Sequence, residues 1–424
     1  MQQQPAQNLR PRNRDRDYDV VIWGATGFVG ELISEYYMEQ YPEQRELRWA
    51  IAGRSQRKLD ALLESLSAKY PSATPPDVLV GDSFDRASLE AIASRTEVIC
   101  TTVGPYAKYG KELVAVCIEQ GTDYCDLTGE PQFIREMIDA HHDAAVEAGV
   151  RIVHCCGYDS IPSDLGTLLL QDHAMREHQE AARSVKLFMI SAKGGFSGGT
   201  VASMVNAAEE MIANPEIRKI LGNPYSLNPA GERKGPRIPA QTVQYDEDIA
   251  GWTGPFLMEA INSRIVRRSN ALAGYPYSEE FRYTEAMNFK DGVPGFMKAL
   301  GVTASMIGFF IAMGISPVRE LLKRTVLPAP GEGPSRELIE NGHFHTRLIG
   351  QLSDRRVQCD VRGYRDPGYG ATATMIGEAA ACLAQQGAQL DSPGGILTPA
   401  SSMGMTLIDR LRRAGMDFEA RDMS

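Results

Sequence analysis

A glycine-rich turn near the start of the chain has the spacing of a dinucleotide-binding fingerprint. Gly24, Gly27 and Gly30 stand between the apolar run 19–23 and a segment whose apolar residues recur on one helical face. The first glycine allows a tight turn, the second lets the backbone approach a pyrophosphate, and the third permits close helix–strand packing. We therefore predict that a dinucleotide binds at this turn. The other predicted contacts here are Thr26, Phe28 and Val29.

The position that discriminates between NAD and NADP is basic in this sequence. About 20 residues beyond the glycines, an NAD site places a carboxylate that binds the ribose 2′-hydroxyl. Arg54 stands there instead, and Lys58 follows one helical turn later. A guanidinium matches the charge and shape of a 2′-phosphate, so the sequence predicts NADP(H). The alternative interpretation is a solvated helix start with incidental charge.

Further candidate residues follow the third, fourth and sixth predicted strands, at the sheet edge where ligands collect. Asp82 ends the third strand and could meet the adenine end of the cofactor. Hydride transfer also needs a proton donor, and a tyrosine hydroxyl could supply the proton. The alternative is that the tyrosines only pack against the nicotinamide ring. The remaining predicted cofactor contacts are Thr102, Val103 and Gly104, and the predicted catalytic residues are Tyr106, Tyr158 and Asp159.

Two segments of the second half could bind an anionic substrate group. Lys193 precedes the glycine-rich stretch 194–200, whose predicted helix start could bind a carboxylate, thioester oxygen or phosphate. A basic cluster lies further along an otherwise acidic chain, and it could meet the same group or form a solvated basic strand face. The predicted substrate-binding residues are Lys193, Ser197, Gly198, Arg264, Arg267 and Arg268.

Two other site types fit parts of the sequence less well. Residues 195–199 match the G-x-S-x-G pattern of serine hydrolases, with Asp246 and His343 or His345 downstream. That fold would need the pattern inside its main parallel sheet, whereas the predicted parallel sheet lies upstream around the glycine turn. The two histidines could also begin a metal site, but no third ligand is signalled nearby, so we predict no metal. A short-chain dehydrogenase is disfavoured because no tyrosine has a lysine four residues later.

The elements that position these residues alternate between strand and helix. Short apolar runs each precede an amphipathic helix, which predicts a doubly wound parallel sheet in the N-terminal part. Near the C-terminus, Thr398 and Pro399 begin a helix that ends at Gly415, and we predict that it packs back on the first domain.

Composition limits the class of protein. A chain of 424 residues predicts at least two domains, and its net charge of −10 argues against general nucleic-acid binding. Seven cysteines without a Cys-x-x-Cys pair indicate a reducing compartment, and the first residues lack the apolar core of a signal peptide. We therefore expect a cytoplasmic protein.

An uncharged stretch at 299–318 complicates that expectation. Its 20 residues could span a bilayer, but its Gly, Ser, Thr and Pro content lowers the hydrophobicity. We favour a buried or dimer-interface helix. The alternatives are a helix lying against a membrane and a true span.

Several long segments resemble the saccharopine dehydrogenase-like oxidoreductases, and most of all the mycobacterial trans-acting enoyl reductases. The resemblance is carried by GATGFVG, AGRS, TTVGPYAKYG, DYCDLTGEP, CGYDSIPSDLG, KGGFSGGTVASM, INSRIVRRSNAL, DPGYGATA and GGILTPASSMG. From the first to the last, these segments span nearly the whole chain after its first residues.

The resemblance implies an α/β protein with a Rossmann domain, an inserted α+β substrate or dimerisation domain, and a returning C-terminal helical segment. We place these at 17–165, 166–370 and 371–424, after a disordered tail at 1–16. The resemblance also implies an NADP(H)-dependent enoyl reductase. We expect a homodimer that acts on an acyl or lipid-like substrate, either free or carrier-bound. The alternatives are an oxidoreductase of an amino-acid C–N bond and an NADP(H)-binding, membrane- or lipid-associated sensor without turnover.

Overall fold

The computed structural model describes residues 15–195, 205–206, 209–211, 214–238, 241–315, 317–319 and 333–423. These residues form two compact units. The first contains the described chain up to Thr128 together with Phe133–Gly157 and Thr372–Leu411. The second contains Gly129–Gln132, the described part of Tyr158–Ala371, and the chain from Arg412 onward.

Strands and helices alternate through the first part of the chain, as the sequence predicts. The strands are β1 (Tyr18–Trp23), β2 (Trp49–Gly53), β3 (Asp77–Val80), β4 (Thr96–Thr101), β5 (Asp123–Cys125), β6 (Arg151–Val153), β7 (Ser184–Lys193), β8 (Gln244–Asp246), β9 (Gly251–Pro255), β10 (Arg282–Phe289), β11 (His343–Gln351), β12 (Arg356–Gly363), β13 (Gly395–Leu397) and β14 (Asp417–Asp422). The helices are α1 (Phe28–Gln40), α2 (Gln56–Lys69), α3 (Arg86–Ala93), α4 (Tyr106–Tyr109), α5 (Lys111–Gln120), α6 (Pro131–Glu147), α7 (Ile161–His178), α8 (Pro215–Gly222), α9 (Glu259–Leu272), α10 (Gly292–Gly314), α11 (Arg336–Glu340), α12 (Thr372–Gln386), α13 (Pro399–Ser402) and α14 (Gly404–Arg413). A π-helical turn covers Pro367–Ala371, and a 3-10 turn covers Gly387–Gln389.

The first unit is built on a seven-stranded parallel sheet of order β13-β6-β5-β4-β1-β2-β3. The central strand β1 pairs Val21 with Ala50 of β2 on one side and with Ile99 of β4 on the other. Val20, Val21 and Ile22 are fully buried, as expected for a parallel strand covered on both faces. The predicted doubly wound sheet is therefore confirmed.

The C-terminal part returns to the first unit through α12. The hydroxyl of Tyr37 on α1 donates to the carbonyl of Gly377 on α12 at 2.8 Å. Close by, Arg410 of α14 pairs with Glu378 of α12 at 2.7 Å, and both side chains are buried. Two strands, β13 and β14, come from a segment for which the sequence predicts only helices.

The second unit contains a mixed sheet of order β14-β12-β11-β7-β10-β9-β8. Strand β7, predicted at 185–191, runs parallel to β10 and antiparallel to β11. Helix α7 packs against β11, β12 and β14, and α9 packs against α7 and β10. The described residues contain one helix long and apolar enough to cross a membrane, α10, with a mean hydropathy of 1.7 over its most apolar window.

Candidate functional site

The three glycines of the turn between β1 and α1 differ in how much space a Cβ would have. Gly24 has φ +87°, and a Cβ there would lie 2.5 Å from Val103 Cγ2. A Cβ on Gly30 would lie 2.3 Å from Gly24 O, so close packing excludes any side chain at that position. At Gly27 the nearest contact of a Cβ would be Gly24 O at 3.2 Å. Protein packing therefore excludes a side chain at 24 and 30, whereas a Cβ at 27 would need Gly24 O to shift by only a few tenths of an ångström.

Gly27 is the N-cap of α1, and as a glycine it has no side chain that could accept hydrogen bonds from the first turn of the helix. The first N–H groups of a helix without a capping side chain are suited to bind an anion, and the helix dipole favours negative charge there. A pyrophosphate at this position would explain why residue 27 has no Cβ. The turn therefore fits the phosphates of a dinucleotide.

The residues after β4 lie beside the same turn. The Thr102 hydroxyl donates to Gly24 O at 3.2 Å, and the Thr102 N–H donates to Trp23 O at 3.0 Å. The Val103 N–H donates to the hydroxyl of Thr101 at 3.3 Å. The structure thus brings the ends of β1 and β4 together, with the predicted contacts Thr102, Val103 and Gly104 at that edge.

The predicted 2′-phosphate residues follow the neighbouring strand β2. Arg54 and Lys58 are exposed, and the described residues include no acidic partner for either side chain. Ser55 caps α2 by accepting a hydrogen bond from the Lys58 N–H. Thr26 Oγ1 would lie 3.8 Å from a Cβ on Gly53, so the glycine turn adjoins the end of β2. Both cations are therefore available to a phosphate at this edge of the sheet.

Asp82 shapes the turn between β3 and α3. Its carboxylate accepts a hydrogen bond from the Phe84 N–H at 2.9 Å, and its own N–H donates to the Ser88 hydroxyl. The Phe84 ring is largely exposed and contacts the ring of Tyr109. Asp82 thus occupies the strand end where the sequence places it.

Tyr106 is buried, and its hydroxyl is bound by backbone groups. It donates to Thr101 O at 3.3 Å and accepts a hydrogen bond from the Leu127 N–H at 3.2 Å. These bonds connect the segments that follow β4 and β5. They favour a positioning role for Tyr106 over proton donation.

A buried His–Asp pair, which the sequence analysis does not select, follows β5 and β6. Nδ1 of His154 lies 2.7 Å from Oδ2 of Asp126, and both side chains are fully buried. Asp126 also accepts hydrogen bonds from the Tyr124 hydroxyl and the Cys155 N–H. Nε2 of His154 has no hydrogen-bond partner among the described residues. The rule that ligands collect at strand ends, applied to these positions as well, would have identified the pair.

Tyr158 lies in the second unit with its ring packed edge-on against Phe344 at 5.0 Å. Its hydroxyl donates to the thioether sulfur of Met189 at 3.7 Å, which is a weak acceptor. Burial raises the pKa of Tyr158, and the carboxylates of Glu285 and Asp366 raise it further. The hydroxyl therefore carries its proton at neutral pH. Asp159 follows in the same turn and is partly buried.

A buried polar cluster adjoins this turn within the second unit. Ser160 donates to Oδ1 of Asn262 at 3.1 Å, and Nδ2 of Asn262 donates to Glu285 at 2.9 Å. The Tyr283 hydroxyl donates to the other oxygen of Glu285 at 2.7 Å. Burial raises the pKa of Glu285 to about 7. No sequence signal marks this glutamate, because it stands alone in an ordinary strand.

The predicted substrate-binding residues fall into two groups. Lys193 ends β7 and is exposed, whereas Ser197 and Gly198 lie outside the described residues. The neighbouring Gly195 N–H donates to Oδ2 of Asp366 at 2.9 Å. The described start of the glycine-rich stretch is therefore fixed by Asp366.

The arginine cluster lies on helix α9 and is buried, so the alternative of a solvated strand face is wrong. Arg264 donates to Leu221 O at 2.5 Å, and Arg268 donates to Leu227 O. Arg267 donates to Tyr283 O at 2.8 Å. Burial lowers the pKa of Arg264 to about 10, with Arg267 contributing. These main-chain contacts hold the segment 221–227 and β10 to α9, and contact with a substrate stays a prediction.

The strand pairing along β7 places Asp246 far from the two histidines of the hydrolase pattern. Asp246 pairs with Lys186 at 2.9 Å, whereas His345 lies opposite Ser191 on the same strand β7. Five residues of strand correspond to about 17 Å. His345 instead contacts Asp360 at 2.8 Å. Asp246 is thus placed far from either histidine.

Known proteins are similar to this chain in sequence. The family described as Saccharopine dehydrogenase NADP binding domain matches residues 20–153. A trans-acting enoyl reductase of Mycobacterium ulcerans is 35% identical over 96% of this chain and 98% of its own length. A Mycobacterium tuberculosis protein provisionally given the same name is 39% identical over 95% of this chain and 97% of its own length. The chain belongs to the trans-acting enoyl reductase family.

The family confirms two predictions: the protein is a saccharopine dehydrogenase-like, NADP-dependent oxidoreductase, and its cofactor is NADP(H). Among solved structures, apo saccharopine dehydrogenase (L-Glu forming) from Saccharomyces cerevisiae is similar, with a TM-score of 0.54 and 15% identity. The match covers 96% of this chain and 99% of that one, and it shows a shared fold. The glycine turn and the ends of β2 and β4 all lie within the part of the chain that the NADP-binding family model matches.

Proposed function

We propose that this protein is an NADPH-dependent enoyl reductase that acts in trans on an α,β-unsaturated acyl thioester held by a carrier. The observation that carries the proposal is the 35–39% identity, over at least 95% of the chain, with trans-acting enoyl reductases. The cofactor, when bound, supplies a hydride to the β-carbon of the substrate. The protein must then bind the cofactor, hold the acyl chain and deliver a proton to the α-carbon.

The first unit supplies the cofactor contacts in this proposal. Gly27 and the first turn of α1 bind the pyrophosphate, and Arg54 with Lys58 binds the 2′-phosphate. Asp82 contacts the adenine end. The nicotinamide end meets Thr102, Val103 and Gly104 beyond β4, where parallel-sheet enzymes bind their ligands. The glycine geometry and the exposure of both cations support this assignment.

Tyr158 is the proposed proton donor, with Asp159 beside it. Burial raises the pKa of Tyr158, so its hydroxyl carries a proton at neutral pH, and this hydroxyl donates to the thioether of Met189, which is a weak acceptor. The backbone bonds of Tyr106 make that residue less suited to the role. Proton delivery by a positioned side chain contributes about 100-fold or more to a rate.

The substrate contacts remain those proposed from the sequence. Lys193, exposed at the end of β7, is suited to a carrier phosphate or a thioester oxygen, with Ser197 and Gly198 nearby in the chain. The three arginines of α9 would reach a substrate only by giving up main-chain carbonyls. We also propose a cytoplasmic location, which is supported by seven cysteines that are all buried free thiols.

The proposal is tested by following NADPH consumption with a panel of 2-enoyl thioesters of coenzyme A and pantetheine. A 2-oxo acid with an amino-acid amine serves as the competing substrate pair. We expect turnover with the enoyl thioesters alone. Consumption with the amine pair alone would indicate a C–N oxidoreductase, and NADPH binding without turnover on any substrate would indicate a sensor.

The variant Tyr158→Phe tests the donor. We expect kcat to fall about 100-fold with little change in the NADPH affinity. Tyr364→Phe is the matched control, because Tyr364 is exposed and its hydroxyl contacts Asp417 on the surface. A kcat for Tyr158→Phe equal to that of the control would exclude Tyr158 as the proton donor.

A further inference from the structure

Helix α10 exposes large apolar side chains over most of its length. Val293 is 73% exposed, Ile311 60%, and Met297 and Ile307 56% each. Only Gly295, Ala299 and Met313 of this helix are buried. Single exposed apolar residues are ordinary on a protein surface, whereas a continuous row along one helix marks an interaction surface.

The exposed surface of α10 is wider than a single partner helix would cover. With 3.6 residues per turn, the exposed positions between Gly292 and Gly314 fill an arc of about 240°. The remaining strip packs on β9 and β10, where the ring of Phe296 lies 4.8 Å from that of Trp252. A helix packed on one neighbour buries a stripe of about 100°. A surrounding apolar medium covers the exposed arc better than a second helix does.

The polar side chains of the apolar stretch are satisfied within the helix. Between Ala299 and Gly314 the only polar side chains are Thr303 and Ser305. Thr303 donates to Ala299 O and Ser305 to Gly301 O, both at 2.8 Å, although Ser305 is exposed. Hydroxyls bonded to their own helix need no water, and helical backbone groups are paired as well. This part of α10 therefore suits a hydrocarbon environment.

Two lysines and one aspartate lie within or just before the N-terminal part of α10. Lys298 is the only charged residue within the helix, and Lys290 precedes it; both are exposed. The carboxylate of Asp291 is used locally, because it accepts the Gly292 N–H at 2.6 Å. Lysine amines on flexible stems can reach the phosphates of lipid headgroups while the helix lies deeper.

We propose that α10 binds the surface of a lipid bilayer, lying in the interfacial region with its exposed arc among the acyl chains. The opposite strip of the helix packs on β9, so lipid cannot surround it, and the helix lies along the bilayer instead of crossing it. The inserted residues are Val293, Met297, Leu300, Ile307, Phe310 and Ile311. This inference is independent of the proposed reductase activity.

Flotation of the full chain with vesicles of phosphatidylcholine containing a minority of phosphatidylglycerol tests the proposal. We expect the unchanged protein to float with the vesicles, also in high salt. The double variant Ile307→Asn/Ile311→Asn should bind about tenfold more weakly or worse, because two inserted side chains become polar. The matched control Val146→Asn/Met175→Asn changes exposed apolar residues on α6 and α7 and should float normally.

The variant Ile307→Trp gives a second measurement that does not depend on a loss of binding. Lipids brominated in the acyl chains should quench its added fluorescence. The proposal is overturned if the unchanged protein stays with the soluble fraction, or if both double variants float equally. It is also overturned if light scattering shows a dimer that only the α10 double variant dissociates, because a second copy then covers the helix. None of these outcomes bears on NADPH turnover.

Discussion

Replacing Gly27 by alanine should separate the folding of the first unit from its cofactor binding. The added Cβ would lie 3.2 Å from Gly24 O, and the described protein places no other contact within 4 Å of it. The backbone at Gly27 has φ −87°, which an alanine adopts without strain. We therefore expect the free energy of unfolding to change by about 1 kcal/mol or less.

The same methyl group would stand where the pyrophosphate approaches the start of α1. Hydrogen bonds to a charged group contribute about 1.5–3 kcal/mol each, and the displaced phosphate would lose about two of them. The affinity for NADPH should then fall by about 3 kcal/mol, or roughly 100-fold or more.

Calorimetric titration with NADPH and urea unfolding, on the same preparations, measure the two quantities. Gly30→Ala should behave differently, because its Cβ would lie 2.3 Å from Gly24 O and so lower stability as well as binding. Gly222→Ala is the control, since a Cβ there meets nothing within 4 Å. NADPH binding by Gly27→Ala as tight as that of the unchanged protein would refute the placement of the phosphates.

Three further predictions concern charge. Arg54→Asp should weaken NADPH binding about tenfold or more while leaving NADH binding little changed, as measured by fluorescence titration of both cofactors. Glu285 has a pKa raised to about 7 by burial. Its contribution to stability is therefore complete below about pH 4.5 and is lost as pH rises to about 7, by up to about 3 kcal/mol. Urea unfolding across this range should show the loss in the unchanged protein and a flatter profile in Glu285→Gln. Arg410→Met should cost about 3–5 kcal/mol in urea unfolding, because it leaves Glu378 buried without its partner; an unchanged midpoint would contradict this.

The cofactor edge could be predicted because its signals are local. A buried strand, three glycines and an amphipathic helix follow one another within the span 19–37, and β1 and α1 form there. Arg54 is found by counting along the chain from the glycines. Each inference needs only the order of residues and the rule that strand ends meet at one edge of a parallel sheet.

The features that the sequence analysis missed depend on distant partners. Strand β13 has three residues and exists through its pairing with β6, more than 240 positions earlier. From the sequence alone, Arg267 could be a solvated cation. In the structure it is buried on α9 and donates to Tyr283 O. His154 and Asp126 become a pair only when β5 and β6 lie side by side.

Most of the uncharged stretch at 299–318 lies in an apolar helix, as the sequence predicts. The helix runs from Gly292 to Gly314, starting earlier because Asp291 caps it. The sequence favours a buried or dimer-interface helix. Only 11% of the most apolar window is buried within the chain, so burial inside one chain is wrong and a dimer interface stays a prediction. The hydrophobicity of the helix predicts that its apolar side chains are shielded from water. Which partner shields them depends on the fold around the helix.

We propose that this chain reduces a carbon–carbon double bond with hydride from NADPH. Incubation with an enoyl thioester and NADPH carrying deuterium at the transferable C4 position, followed by mass spectrometry of the product, tests this claim directly. We predict a saturated acyl chain with one deuterium at the β-carbon. An unlabelled acyl product, or deuterium found only on a carbon that bears nitrogen when the amine pair is supplied, would contradict it.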